Sequence, residues 1–172
     1  MTDREWVTGV AMLALLFLSS APPAAAGCLP PPRGEVVLRV SGAIGCADLD
    51  GEARFDIALL ESLGTTRMIT RTPWTEGEGV FEGVTLRRLM TAVEARGESL
   101  RAIALNDYAA EIPFAEFAAF DVLIAWSLDG ERLSRRDKGP LWIVYPWSER
   151  PELDTRRIRQ HSVWQLARLV VR

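Results

Sequence analysis

Residues 81–93 read Phe-Glu-Gly-Val-Thr-Leu-Arg-Arg-Leu-Met-Thr-Ala-Val, and this stretch decides how the chain folds. Its apolar residues recur at i, i+3, i+4 and i+7, which is the spacing of one face of an α-helix. The residues on this face are Leu86, Leu89, Met90 and Val93. Thr85 can begin the helix and Gly97 can end it. The sequence therefore predicts an amphipathic helix between these two residues.

On both sides of this stretch, the sequence predicts one more helix and several short strands. Residues 55–63 form the second helix, with Asp56 as its first cap and Gly64 at its end. Asp129-Gly130 between Leu128 and Leu133 is a signal for a hairpin turn. The predicted strands are Glu35 to Val40, Met68 to Thr72, Leu100 to Leu105, Val122 to Trp126, Leu141 to Tyr145 and Val163 to Val171. The fold class predicted from this pattern is α+β in a single domain.

Composition narrows the classes of function. The chain has 172 residues, 48% of them hydrophobic, which suits one globular domain. Its formal net charge of −3 gives no basic face, so the sequence predicts no nucleic-acid partner. A P-loop, a dinucleotide fingerprint and a nucleophile elbow are all absent from the sequence. His161 is the single histidine, which disfavours a zinc site and a histidine-based catalyst.

The N-terminus has the layout of a secretory signal. An apolar run extends from Val10 to Leu18, and small residues follow at 24–26. A short uncleaved anchor is the alternative, although about 20 apolar residues are needed to span a bilayer. We therefore predict a signal peptide over 1–26, a Pro-rich linker over 27–34, a domain over 35–172 and a periplasmic location.

The two cysteines, Cys28 and Cys46, have alternative uses. Export would place both in an oxidising compartment, where a disulfide between them can form. Residues 25–28 (Ala-Ala-Gly-Cys) also loosely resemble a bacterial lipobox, which would make Cys28 a lipid anchor. Both interpretations remain open at this point.

Several loops carry residues suited to a flat ligand. Trp74 and Trp147 follow prolines in loop-like stretches, where an aromatic ring could stack on a heterocycle or simply pack into the core. Asn106-Asp107-Tyr108 could form a turn, or its carboxylate could accept two N–H donors from an aminopyrimidine ring. The charged stretch at 135–140 is a solvated turn, an anion site or a surface that faces a partner. The acidic stretch at 76–79 is predicted to be a mobile loop over a pocket.

Five stretches together resemble the oxidoreductase molybdopterin-binding domain of the sulfite oxidase superfamily. They are residues 71–77, 81–89, 104–108, 137–146 and 162–166. The resemblance extends from Val36 to the C-terminus. It implies a sulfite-oxidase-type fold with mixed β-sheets and short helices.

The sequence departs from that family at the position of the metal ligand. In the molybdenum enzymes a cysteine ends the strand before the helix, whereas residues 68–72 and the following Pro73-Trp74 contain none. Molybdenum needs a soft thiolate there, and threonine is no substitute. The chain is more similar to small exported members that bind reduced pterins. That resemblance implies a non-catalytic sensor without a metal, whose partner is the periplasmic domain of a membrane receptor, either a cyclic-di-GMP enzyme or a sensor kinase.

The same resemblance implies a set of ligand-binding residues. Trp74 and Tyr108 would lie near the pterin ring, and Asn106 and Asp107 would bind its N–H edge. The remaining three would line the wall and floor of the pocket; they are Lys138, Trp142 and Trp164.

Two other functions remain as alternatives. One is a molybdopterin-dependent oxidoreductase that carries the molybdenum cofactor through an atypical metal ligand. The other is an interaction module in which the pocket has collapsed and only the fold remains.

Overall fold

The computed structural model describes residues 28–48 and 50–172. The signal peptide predicted over 1–26, together with Gly27 of the predicted linker, lies outside the described residues. Within the described ranges, no helix combines the length and the apolar character needed to cross a bilayer.

Ten strands and four helices make up the described part of the chain. The strands are β1 Leu38–Gly42, β2 Ala53–Phe55, β3 Thr66–Arg71, β4 Glu78–Thr85, β5 Ser99–Ala104, β6 Ala109–Pro113, β7 Leu123–Leu128, β8 Glu131–Arg132, β9 Trp142–Val144 and β10 Leu166–Val171. The helices are α1 Ile57–Ser62, α2 Leu86–Ala92, α3 Phe114–Ala119 and α4 Arg156–His161. A 3-10 turn, Pro151–Leu153, precedes α4.

The strands form two five-stranded sheets. In the first sheet the order is β2-β1-β10-β5-β6, with β1 and β10 parallel and the other pairs antiparallel. The second sheet has the order β3-β4-β7-β8, and β9 pairs with β7. Mixed sheets with a few short helices confirm the predicted α+β class.

Helix α2 buries the apolar face that its sequence predicts. Leu86, Leu89 and Val93 are fully buried and Met90 is 5% exposed. The Oγ1 atom of Thr85 accepts the N–H of Arg88, so the predicted first cap is confirmed. The helix nevertheless ends at Ala92, before Gly97, because Glu94 adopts the left-handed conformation (φ 50°) that terminates helices.

The hairpin turn and the cap of α1 are also confirmed. Asp129 and Gly130 both have positive φ, 52° and 83°, as the tight turn between β7 and β8 requires. Asp56 accepts the N–H of Leu59 at 2.7 Å, and Gly64 follows the helix with φ 106°. Local sequence signals therefore predicted these features correctly.

The acidic loop predicted at 76–79 is confirmed only for Glu76 and Gly77, which connect β3 to β4, and is wrong for Glu78 and Gly79, which belong to β4. They pair with Arg71 and Thr70 of β3. The strand is hard to recognise because it contains glycines, which strands usually avoid. Gly83 is required by close packing: a Cβ there would lie 2.1 Å from the carbonyl oxygen of Ile124 on β7.

Two helices, α3 and α4, were not predicted. Helix α3 begins after Pro113 without any side-chain cap, so its sequence carries no start signal. Helix α4 is almost entirely polar and buries only Ile158 and His161, which leaves no apolar periodicity to detect. The omission of α4 matters more, because this helix forms one wall of the candidate site.

Candidate functional site

A cleft of about 680 Å³ opens between three parts of the molecule. These parts are the loop after β3, the turn between β5 and β6, and the region of α4. The lining residues are Trp74, Ala104, Asn106, Tyr108, Asp154, Arg156, Arg159, Gln160, Ser162, Val163 and Trp164. Its size suits a small organic ligand.

Trp74 forms the centre of a tryptophan cluster at the cleft. Its ring lies 5.3 Å from that of Trp164 and 6.0 Å from those of Trp142 and Trp147, in edge-to-face geometry. Trp142 and Trp147 are buried, and their indole N–H groups donate to Ser162 Oγ and to the carbonyl oxygen of Leu153. These buried rings hold Trp74 in place, while Trp164 remains 37% exposed at the cleft.

The loop that carries Trp74 is held by threonine side chains. Thr72 Oγ1 accepts the N–H of Trp74 at 3.1 Å, and Thr75 Oγ1 accepts the N–H of Thr72 at 3.0 Å. Such local bonds from hydroxyl groups to the main chain stabilise tight turns. The Trp74 ring is therefore positioned without the help of a ligand.

The turn at 106–108 supplies the opposite aromatic wall. Asn106 Oδ1 accepts the N–H of Tyr108 at 3.1 Å, which is the usual local bond of an asparagine turn. The Tyr108 hydroxyl donates to the carbonyl oxygen of Gln160 at 2.9 Å, and its side chain is 46% exposed. The tyrosine thus connects the β5–β6 turn to α4 across one end of the cleft.

Helix α4 and the residues around it form the polar wall. Thr155 caps the helix by accepting the N–H of Ile158. Arg159 forms an ion pair with Asp154 at 2.7 Å, and the hydrogen bond within this pair lowers the pKa of the Asp154 carboxyl. Among the described residues, Arg156 has no carboxylate partner. Asp154, Arg156, Arg159, Gln160 and Ser162 were missed by sequence reasoning, and the cap at Thr155 was the one signal available.

A buried carboxylate anchors α4. Glu116 on α3 accepts hydrogen bonds from Arg157 Nη1 at 2.8 Å and from the Tyr145 hydroxyl, and its Oε1 lies 2.9 Å from Nδ1 of His161. The side chain of Glu116 is only 4% exposed. The lone histidine therefore has a structural position in the core network of the protein.

Opposing influences act on the ionisation of this network. Burial is the largest single influence on Glu116 and would raise its pKa. The hydrogen bonds from His161 and Tyr145, with the charges of His161 and Arg157, outweigh it and leave the pKa below its ordinary value. Burial and the neighbouring Glu116 raise the pKa of Tyr145 well above its usual value. Glu116 is thus held as a carboxylate and Tyr145 as a neutral donor.

Four of the seven predicted ligand-binding residues line the cleft: Trp74, Asn106, Tyr108 and Trp164. The structure does not bring the other three to it. Asp107 has φ 63°, which turns its carboxylate away to pair with Arg168 at 2.9 Å beside a separate cleft of about 270 Å³.

The other two residues lie behind or beside the cleft. Trp142 is fully buried beneath Trp74, so it supports the wall without being part of it. Lys138 pairs with Asp137 at 3.0 Å, and its Nζ lies 5.5 Å from the centre of the Trp142 ring. Both are one layer removed from the lining residues.

The donor atoms of this chain do not fit a thiolate-ligated metal. Cys28 and Cys46 are joined in a disulfide with a Cα–Cα distance of 5.6 Å, and the sequence contains no other cysteine. Strand β3 and the loop after it contain none. Within residues 28–48 and 50–172, no group of three or more His, Cys, Asp or Glu side chains could hold a metal ion. The aromatic cleft suits a flat ring, but the described residues offer no free thiolate to molybdenum.

Comparison with solved structures shows the same fold in a larger protein. The sulfane dehydrogenase SoxCD from Paracoccus pantotrophus matches with a TM-score of 0.54 and 18% sequence identity. The match covers 78% of this chain and 37% of the SoxCD chain, so the protein spans little more than a third of that chain's length. No curated protein matches the sequence.

Sequence comparison assigns the family. The model of the oxidoreductase molybdopterin binding domain matches residues 56–149, which is more than half of the chain. The matched range includes Trp74, Asn106 and Tyr108 but ends before α4, so the polar wall of the cleft lies outside it. The protein belongs to the oxidoreductase molybdopterin-binding domain family, as the sequence motifs predicted.

Proposed function

We propose that this protein is a non-catalytic binding protein for a reduced pterin. We further propose that it acts in the periplasm and that its ligand occupancy regulates a membrane receptor, either a cyclic-di-GMP enzyme or a sensor kinase. The observation that carries the proposal is an aromatic cleft of about 680 Å³ in a chain whose two cysteines are joined to each other. Such a cleft can hold a pterin ring, while the chain offers no thiolate to a metal.

The aromatic side chains supply most of the expected affinity. Trp74, Tyr108 and Trp164 present ring faces or edges to the cleft. Stacking of a nucleobase on an aromatic side chain contributes roughly 1–3 kcal/mol, and a pterin has a comparable bicyclic ring. A cleft of this size also argues against an interaction module whose pocket has collapsed.

Polar groups on α4 and on the 106–108 turn supply orientation. Gln160 and Asn106 offer amide groups, which can pair with the carbonyl and ring nitrogens of a pterin. Arg156 brings a cation that no carboxylate of the described residues neutralises. Together, these amide groups and the Arg156 cation favour a pterin with an electron-rich ring edge or an anionic substituent.

The test is an anaerobic titration of the purified protein with tetrahydrobiopterin, followed by tryptophan fluorescence. We expect saturable quenching, and we expect Trp164→Ala to weaken binding by about tenfold, the equivalent of one stacking contact. Ile69→Ala is the matched control, because Ile69 is 56% exposed but lies outside the cleft. Equal affinity of the two variants, or no quenching by this pterin, would remove the support for a pterin site.

A molybdopterin-dependent oxidoreductase with an atypical ligand is the second candidate, because the family match favours it. It predicts that protein purified from a host that makes the molybdenum cofactor contains about one molybdenum per chain. Elemental analysis together with native mass spectrometry separates the two candidates. A bound mass equal to a metal-free pterin supports the binding protein, whereas stoichiometric molybdenum establishes the enzyme.

A further inference from the structure

Strand β3 lies at the edge of the second sheet. All six of its residues, Thr66–Arg71, pair with β4 in one continuous antiparallel register. No described strand pairs with its other side. This edge presents unpaired main-chain groups to any extended segment that approaches it, except at Arg71, whose N–H donates to Ser148 Oγ.

The hydrogen bonds identify which residues face outward. The N–H of Arg71 donates to Ser148 Oγ at 2.9 Å, so it points away from β4. Val80, the β4 partner of Ile69, directs its N–H and its carbonyl oxygen to Asp129 instead of to β3. Since directions alternate along an antiparallel pair, the main-chain groups of Ile69 and Arg67 also face the open edge.

The side chains beside this edge form a pattern of one apolar residue between two cations. Ile69 is 56% exposed, and Arg67 and Arg71 on the same face are exposed as well. The residues opposite them on β4 are Glu82 and Glu78, but neither arginine comes within 4.0 Å of a carboxylate oxygen of the described residues. Met68 and Thr70 point to the opposite, buried face. The exposed face thus combines main-chain donors and acceptors with two positive charges.

We propose that this edge is a docking site for an extended acidic segment of a partner protein. The segment adds to the sheet as a further strand, with main-chain pairing at Arg67 and Ile69, because Ser148 already accepts the N–H of Arg71. A carboxylate of the segment lies opposite Arg67, an apolar side chain lies opposite Ile69, and a second carboxylate lies within reach of the Arg71 side chain. Opposite charges across strands stabilise such pairing, whereas like charges oppose it. A second copy of this chain is a poor occupant, since symmetric pairing about Ile69 would place Arg67 against Arg71.

The docking edge is continuous with the cleft. Strand β3 leads directly into the loop that carries Trp74, and Ser148, which caps the edge at Arg71, follows the buried Trp147. A strand added here would lie beside the segment that positions the cleft's central ring. The proposal does not depend on which ligand the cleft binds.

The test uses the purified protein and a synthetic seven-residue peptide with blocked ends. The peptide carries glutamate at positions two and six, valine at positions three to five, and threonine at both ends. We expect it to shift the backbone amide signals of Arg67 and Ile69 in NMR spectra. We expect Arg67→Glu to weaken binding by about fivefold or more. Arg101→Glu is the matched control, because this exposed arginine lies on β5, which is paired on both sides.

A second variant and a second peptide make the result decisive. Ile69→Pro removes an outward N–H while tolerating the extended backbone of an edge strand, so it should abolish binding and leave the fold intact. A peptide with lysines in place of the glutamates should bind at least tenfold more weakly. Equal binding of the two peptides would overturn the proposal. Slow hydrogen exchange at Arg67 and Ile69 in the free protein would also overturn it, because another segment or copy would then occupy the edge.

Discussion

Asp56 is the residue whose contacts tie the N-terminal segment to the domain. Its carboxylate is 4% exposed and accepts main-chain N–H groups from Leu59 at 2.7 Å, Gly34 at 2.6 Å and Arg33 at 2.7 Å. Asp56→Ala should lower the free energy of unfolding by about 1–3 kcal/mol, because it removes a helix cap and leaves the buried N–H of Leu59 without its partner. Urea denaturation at neutral pH measures this loss.

The matched control for that change is Asp56→Asn. It keeps the oxygen that caps α1 but loses the charge and one acceptor, so it should cost less than half as much. The hydrogen bonds from Leu59 and then Gly34 hold the pKa of Asp56 below its ordinary value. Its contribution to stability is therefore present above about pH 4 and is lost as the pH falls further. An alanine variant as stable as the native protein would show that these bonds contribute nothing.

Single residues of the site were predictable where residue type and loop position decide the outcome. Trp74 and Tyr108 are large aromatic residues in predicted loops or turns, and both line the cleft. Trp164 lines it too, but it lay in a predicted strand and was assigned to the site through the family resemblance. The direction of a side chain was not predictable, because it depends on backbone angles. Asp107 illustrates this, since its positive φ turns the carboxylate toward Arg168, which is 61 residues away in the sequence.

At the scale of elements, α4 depends on Glu116 for its position. Glu116→Gln removes the charge that pairs with Arg157 beside His161 and Tyr145, so we expect a loss of about 1–3 kcal/mol in the free energy of unfolding at pH 7. The folded-state pKa of Glu116 is lowered, so its stabilising effect is full above its unfolded value, about 4.3, and disappears as the pH falls through the folded value. The stability gap between the native protein and the variant should therefore close below about pH 4.

Denaturation curves between pH 3 and pH 7 measure that gap. Glu111→Gln serves as the control, because Glu111 is an exposed carboxylate that lies 3.7 Å from Arg172. Exposed pairs of this kind contribute less than about 1 kcal/mol, so the control should show a small and nearly constant difference. A gap for Glu116→Gln that persists unchanged at pH 3 would contradict the assigned role of the charge.

Elements were predictable where apolar periodicity or a cap marks them. Helix α2 and the Asp129-Gly130 turn have both kinds of local signal, and they formed as expected. Helix α4 has no apolar stripe. It is held in place instead by the buried carboxylate of Glu116 on α3, which lies 40 or more residues earlier in the sequence than its partners on α4. Its position is a long-range property, and local sequence patterns cannot reveal it.

The arrangement of the whole molecule is the least predictable level. Strand β1 near the start of the domain pairs in parallel with β10 at its end, so the first sheet closes only when both ends of the domain meet. No local pattern predicts that pairing, and the resemblance of the motifs to a known family predicted only mixed sheets with short helices. Local chemistry identifies helices and turns, while the resemblance identifies the type of fold.

The disulfide between Cys28 and Cys46 constrains this architecture at its N-terminal end. The two residues are 18 positions apart, and Cys46 is 2% exposed with its N–H donating to the carbonyl oxygen of Val93 at the end of α2. Closing a loop of this length in the unfolded chain stabilises the folded state by about 3 kcal/mol. Reduction should therefore lower the free energy of unfolding by up to this amount. Urea denaturation with and without dithiothreitol measures the difference.

Ligand binding should distinguish this structural role from a role in the cleft. Neither cysteine lines the cleft, so a variant with both Cys28→Ser and Cys46→Ser should bind the cleft's ligand with unchanged affinity while losing stability. The same variant should be insensitive to dithiothreitol, which makes it the control for the reduction experiment. Because a thiol in a disulfide cannot also carry a lipid, intact mass spectrometry of the native protein decides between the two uses of Cys28. Two titratable thiols in the unfolded, unreduced protein would contradict the disulfide, and they would reopen the question of a thiolate ligand.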